Sequence, residues 1–133
     1  MKRGEKFEHL AVEVFSLISG HSAHETIKHD VMLEGYDGPR QIDVLISGKV
    51  GPFEAKTIVE CKDYNKNVNV IAVDALHSKL LDVKAQKAVL VARKGFTNGA
   101  KKKAERLGIS LCTLHSMEHE KWKFELEIPI LIE

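Results

Sequence analysis

No apolar run in the sequence approaches the ~20 residues that a membrane-spanning helix needs, so a helical membrane protein is excluded. The start, MKRGEKFEHL, is positively charged but has no long apolar stretch behind it. It is not read as a secretory signal. Cysteine is scarce: Cys61 and Cys112 form no CxxC pair and lie in strand-like runs. They are expected as reduced core thiols of a cytoplasmic protein rather than as a disulfide framework. The seven histidines (9, 21, 24, 29, 77, 115 and 119) have no cysteine partners at metal spacing, so zinc-finger chemistry is excluded and surface positions are expected for most of them. There is no repeat, low-complexity segment or linker, and 133 residues are expected to form one domain, 1–133, with one substantial core.

Net charge is also small, at +1, which taken alone argues against a strongly basic nucleic-acid binder. The total hides an asymmetry. From Lys84 to Arg106 lie eight basic residues and one acid, a net +7, while the remainder holds twelve basic residues and eighteen acids, a net −6. A basic segment between acidic flanks hints at an anionic partner.

Hydrophobic spacing sketches the elements. Phe7, Leu10, Ala11, Val14, Leu17 and Ile18 recur at helical spacing and Gly20 ends the run. Strands are predicted over 25–33, 40–47 and 56–62, with turns at 34–39 and 48–52. In the second strand, alternation sets Ile42, Val44 and Ile46 on one face and Gln41, Asp43 and Leu45 on the other. A helix is predicted over 67–83, with Asn67 or Asn69 as a candidate cap, then a buried strand over 87–92. A second helix runs from an N-cap at Thr97 to Gly108, and a short strand covers 109–114. The tail alternates Trp122, Phe124, Leu126, Ile128, Ile130 and Ile132 on one face. The order α-β-β-β-α-β-α-β plus a terminal strand implies an α/β fold with a mixed sheet and helices on its faces.

The chemistry gathers at Glu60-Cys61-Lys62. On a strand, Glu60 and Lys62 share one face and Cys61 points the other way. A turn centred near Gly51-Pro52 brings Asp43 opposite or diagonal to Glu60. Two such carboxylates repel unless one is protonated or a cation sits between them. Oxygen donors select a hard divalent ion, Mg²⁺ first. Such an ion activates water, and Lys62 is suited to orienting that water or stabilising the anionic transition state. The plain alternative is a cross-strand ion pair without catalytic purpose.

The spacing D-(sixteen residues)-E-C-K resembles the signature of the PD-(D/E)xK nuclease superfamily, and the wider chain resembles its Mrr-like restriction endonuclease domain. The matching stretches are Phe7-Glu8, Gln41-Ile42-Asp43-Val44, Val59-Glu60-Cys61-Lys62, Ala88-Val89-Leu90-Val91, Gly95-Phe96-Thr97 and Ala100. The resemblance implies a restriction-endonuclease-like αβββαβ core over about 5–115, with 116–133 as a C-terminal strand extension. It implies metal binding by Asp43, Glu60 and the Cys61 carbonyl, with Mn²⁺ able to replace Mg²⁺, and catalytic service by Lys62. A glutamate of the first helix completes such sites, and Glu8 matches best. Helix spacing alone leaves Glu8 and Glu13 open. Ile42 stands where the superfamily name has proline, and Tyr36-Asp37-Gly38-Pro39 replaces a glycine-rich run.

Around this centre, Lys66, Arg93, Lys94, Lys101, Lys102 and Lys103 are candidate contacts to DNA phosphates, which are sequence-blind and salt-dependent. Each is also explicable as a solvated surface charge. The tail strand either covers the core as an edge strand or pairs with a second copy in a homodimer. The expected function is a metal-dependent endodeoxyribonuclease. The alternative is a nuclease-fold module or subunit that grips nucleic acid without cutting it.

Overall fold

The computed structural model describes residues 6–9, 11–12, 26–116 and 122–126. Residues 6–9 and 11–12 are helical (α1). There follow β1 (Thr26–Gly35), β2 (Gly38–Val50), β3 (Phe53–Lys62), α2 (Val70–Asp82), β4 (Lys87–Ala92), α3 (Asn98–Leu107), β5 (Ser110–Ser116) and β6 (Trp122–Leu126). The six strands form one sheet in the order β1-β2-β3-β4-β5-β6. The first three are an antiparallel meander, β3, β4 and β5 are parallel, and β6 returns antiparallel to β5. This is the mixed α/β architecture expected. Among the described residues, no helix is long and apolar enough to cross a membrane.

Local chemistry explains the element ends. Gly51-Pro52 makes the two-residue turn between Val50 and Phe53. Tyr36-Asp37 makes the other, closed by the Gly35–Gly38 pair, with Gly38 at φ 128°. α2 begins later than the apolar spacing suggests. Asn69 is its cap and accepts from the Ile71 amide at 3.0 Å. Val68 is instead tied to the following loop, donating to Gly95 O and accepting from the Thr97 amide, both at 2.9 Å. Thr97 caps α3 by accepting from Ala100 N at 3.1 Å, and Gly108 ends it in the left-handed region at φ 73°.

The two successive parallel crossovers run in the same direction along the sheet, and α2 and α3 lie on one face of it, as crossovers of one hand require. There Val73, Leu76, Ala100 and Ala104 pack on Leu45, Ile58, Leu90 and Leu111. On the other face, Phe7 and Ala11 of α1 pack on Val44, Val59, Val89, Val91 and Leu114. The sheet therefore separates two cores.

One predicted alternation fails. Ile42 does not share a face with Val44 and Ile46: it lies in the α2–α3 core, whereas they belong to the α1 core. β1 makes the same crossing, with Ile27 on the α1 side and Val31 and Leu33 on the other. The cause lies at Asp30, whose φ of 51° is in the left-handed region, and at Asp43, its missing ladder partner. Asp tolerates that conformation better than most residues. The hairpin turns over there without losing register.

β6 pairs with β5 at the edge of the sheet. Ile128, Ile130 and Ile132 of the predicted tail strand lie outside the described residues, as does Glu13.

Candidate active site

The reversal in the hairpin sets the geometry of the acidic centre. The β2–β3 ladder runs to Val44–Val59 and stops. Past that point the Asp43 side chain takes the place of backbone pairing: its Oδ2 accepts from the Cys61 amide at 2.8 Å. Its Oδ1 accepts from Gln41 Nε2 at 3.1 Å, and the same nitrogen donates to Asp30 Oδ1 at 2.9 Å. Asp43 is 7% exposed, so this carboxylate is fixed and nearly buried. The Cys61 amide faces β2, and on an extended strand so does its carbonyl.

Glu60 and Lys62 lie on the α2 side of β3. Glu60 Oε1 accepts from Lys79 Nζ of α2 at 3.1 Å, and Lys79 also donates to Gln41 O at 2.8 Å. Both side chains of the Lys79–Glu60 pair are 14% exposed. Lys79 thus lines, with Asp43 and Glu60, the crevice that opens where β2 leaves β3. The Lys62 ammonium stands 5.8 Å from the centre of the Tyr64 ring.

Glu8 of α1 reaches the same centre from the opposite face. Its Oε2 is 3.1 Å from His29 Nε2, and the His29 ring lies 4.5 Å from that of His9. Burial raises the Glu8 pKa above its ordinary value. The bond to His29 opposes this, and the neighbouring Asp43 carboxylate adds to it. Burial also pushes the Cys61 thiol well up, assisted by Asp43, Glu8 and Glu60 and opposed by Lys62. The charges on both faces of β3 are therefore close enough to be felt at Cys61.

Sequence reasoning missed Lys79 and His29. Lys79 was detectable, because it falls on the stripe defined by Val73, Leu76, Leu80 and Val83. His29 carried no such signal, since its partner Glu8 is 21 residues away on another element.

The metal question rests on donor chemistry. Asp43, Glu60, Glu8 and the Cys61 carbonyl offer oxygen alone, which suits a hard cation. The crowding of Glu8 by Asp43 is a repulsion that a cation relieves. Yet among the described residues no three His, Cys, Asp or Glu side chains stand together as a ready-made cluster. Glu60 turns one oxygen, Oε1, to Lys79, so a cation held by both Asp43 and Glu60 would compete with that ammonium for the carboxylate. The residue types fit a divalent ion, with Lys79 as its internal competitor.

The basic residues differ in setting. Arg93 is engaged by Asp63 through its Nε and lies over the Phe7 ring, its guanidinium 5.4 Å from the ring centre, fastening the loops after β3 and β4 to α1. Lys103 pairs with Asp74 of α2 at 3.5 Å. Lys66, Lys94 and Lys102 are exposed, and Lys101 is half-buried. Beyond Lys62, a cavity of about 280 Å³ opens between the loop carrying Tyr64 and Lys66 and the first turns of α2.

A family model described as restriction endonuclease, Mrr_cat, matches residues 2–119. No curated protein matches. Among solved structures, a protein of unknown function, AF1548, has a similar fold, with a TM-score of 0.66 and 22% identity over 80% of this chain. The match spans 58% of the length of AF1548, and at that identity it speaks for the fold alone.

Proposed function

The chain belongs to the Mrr_cat restriction endonuclease family, and we propose that it is a metal-dependent endodeoxyribonuclease. The support is one arrangement: Asp43 is locked onto the Cys61 amide at the point where β2 leaves β3, with Glu60 and Lys62 on either side of Cys61. Asp43, Glu60 and the Cys61 carbonyl would hold the ion, with Glu8 closing the site from α1. Mg²⁺ is the expected ion and Mn²⁺ its substitute. A bound divalent ion lowers the pKa of its water and offsets charge on the phosphoryl oxygens.

The protein's own groups do the rest. The Asp43 carboxylate is held in one orientation by the Cys61 amide and Gln41, so little reorganisation is needed at that ligand. His29 orients Glu8. Lys62 orients the attacking water or meets the developing negative charge. Lys66, Lys94, Lys101 and Lys102 contact backbone phosphates without reading sequence. Arg93 and Lys103 act first as braces, through Asp63 and Asp74. Cutting both strands of a duplex calls for paired sites, which a homodimer supplies.

A second reading, binding without cleavage, is favoured by the Lys79–Glu60 pair, because it satisfies Glu60 without a metal. Incubation of native, Glu60→Gln and Lys62→Ala chains with a panel of DNA structures and Mg²⁺ or Mn²⁺ separates the two. Cleavage by the native chain alone is expected. Salt-sensitive binding without products supports the second reading, and products from both variants overturn the first.

A further inference from the structure

The cavity beside Lys62 is not used by the metal centre. Its apolar lining is made by buried Val68, half-buried Ala72 and exposed Ala75, the last two on α2. Two large side chains stand exposed at its mouth, Tyr64 at 42% and Ile71 at 70%. Lys66 adds a positive charge on the same lining, and Asn67 adds amide donors and an acceptor. An apolar wall, an exposed aromatic ring, an amide and a cation describe a site for a flat ring with a polar edge and an adjoining phosphate. Its volume of about 280 Å³ falls just short of the ~300–1,000 Å³ range of small-ligand pockets. That is room for one ring system rather than a stack.

We infer that this cavity receives a single unpaired nucleobase of the DNA strand, stacked on Tyr64 and covered by Ile71, next to the phosphate that Lys62 serves. The inference rests on the nuclease reading above and deepens it by specifying the substrate. A base inside a duplex offers neither of its faces, so only an extruded or single-stranded base can enter. The chain therefore favours single-stranded, bulged or flapped DNA over fully paired duplex. Stacking on an aromatic ring is tolerant of base identity, so the site confers preference for structure and not for sequence.

The test uses the full chain without divalent metal, so that nothing is cut. The probes are a single strand and a bulged duplex carrying 2-aminopurine at the unpaired position, and a fully paired duplex of the same sequence. Binding is followed by anisotropy and stacking by 2-aminopurine fluorescence. The native chain is expected to bind the unpaired probes more tightly and to quench their fluorescence. Tyr64→Ala is expected to abolish the quench and weaken unpaired binding roughly 5- to 150-fold, the range that loss of one base–aromatic stack implies. Paired-duplex affinity should stay unchanged, and Tyr64→Phe should restore the quench. Ile71→Ser, at an exposed position on the same mouth, should weaken the same probes. If Tyr64→Ala and Ile71→Ser affect paired and unpaired DNA alike, or neither, the base pocket is overturned while the nuclease reading stands. If the native chain binds none of the three DNAs, the base pocket falls, and the cleavage assay with Mg²⁺ or Mn²⁺ decides the nuclease reading by itself.

Discussion

Replacing Lys79 with methionine tests whether Glu60 is a metal ligand without measuring cleavage at all. Methionine keeps most of the apolar stem on the inner face of α2 but removes the ammonium. Two hydrogen bonds go with it, one to Glu60 at 3.1 Å and one to Gln41 O at 2.8 Å. Removing one partner of a fully buried pair costs about 3–5 kcal/mol. Here both side chains retain 14% of their exposure, and an abandoned carboxylate can take up a proton, so a loss of about 2–3 kcal/mol is expected without metal. For a chain of this size that corresponds to roughly 8–12 °C in Tm. With Mg²⁺ the outcome changes, because the ammonium no longer competes for Glu60. Ion at a hundredfold excess over its Kd returns about 2.7 kcal/mol, which offsets most of the loss. Urea and thermal unfolding of native and Lys79→Met chains, with and without Mg²⁺, therefore give a large gap in metal-free buffer and a small one at saturation. The Lys79→Met/Glu60→Gln double variant should recover part of the loss, as both charges are then gone. An equal gap in both buffers refutes the reasoning, since Glu60 would then gain nothing from a cation.

Glu8 gives a pH signature. Its folded pKa is raised above the ordinary 4.5, so the native chain holds this proton more tightly than the unfolded one, and stability falls as pH rises from 4.5 through the folded value. Relative to the native chain, Glu8→Gln should gain stability at neutral pH and lose that advantage below 4.5. A difference that does not vary from pH 4 to 8 in urea titrations contradicts this. Gly35→Ala would drive its Cβ into Asp82 Oδ2 and place it 2.8 Å from Gly38 O, and Asp82 is held by Arg40 and the Tyr36 amide. A loss of about 1–3 kcal/mol in urea unfolding is expected, and one below about 0.5 kcal/mol shows that the hairpin gives way. Neutralising Lys101 and Lys102 to alanine should flatten the salt dependence of DNA binding by up to about 0.9 log units per log salt for each phosphate no longer neutralised. An unchanged slope removes these residues from the DNA footprint.

Much of the frame was legible because it is written locally. Thr97 and Gly108 bracket α3 through bonds within a turn of each residue. The uniformly apolar run Ala88–Ala92 falls in β4, and a strand buried on both faces is expected to read so. Gly51-Pro52 fixes the hairpin register that carries Asp43 toward Glu60. What escaped depends on pairings between distant residues. Nothing around Asp30 announces a left-handed backbone in mid-strand, and so the alternation of Ile42, Val44 and Ile46 misled. Arg93 reads as a free surface charge until the fold brings Asp63 to it. Lys79 differs: its position on the apolar stripe was open to view, but a lysine on a helix is ordinarily solvated.

The crossing at Asp30 and Asp43 has an evolutionary consequence. A side chain near the Gly35–Gly38 turn belongs to one core, and a side chain a few residues further along belongs to the other. Lengthening the hairpin at its tip adds paired residues beyond the crossing and leaves both cores in frame. A single insertion between Ile42 and Leu45 would exchange the cores for every residue on one side of it, and would carry Asp43 off the Cys61 amide. The tip of this hairpin answers only to its local bonds to Asp82, while the few residues about Asp43 form a reading frame on which both cores depend and which cannot shift.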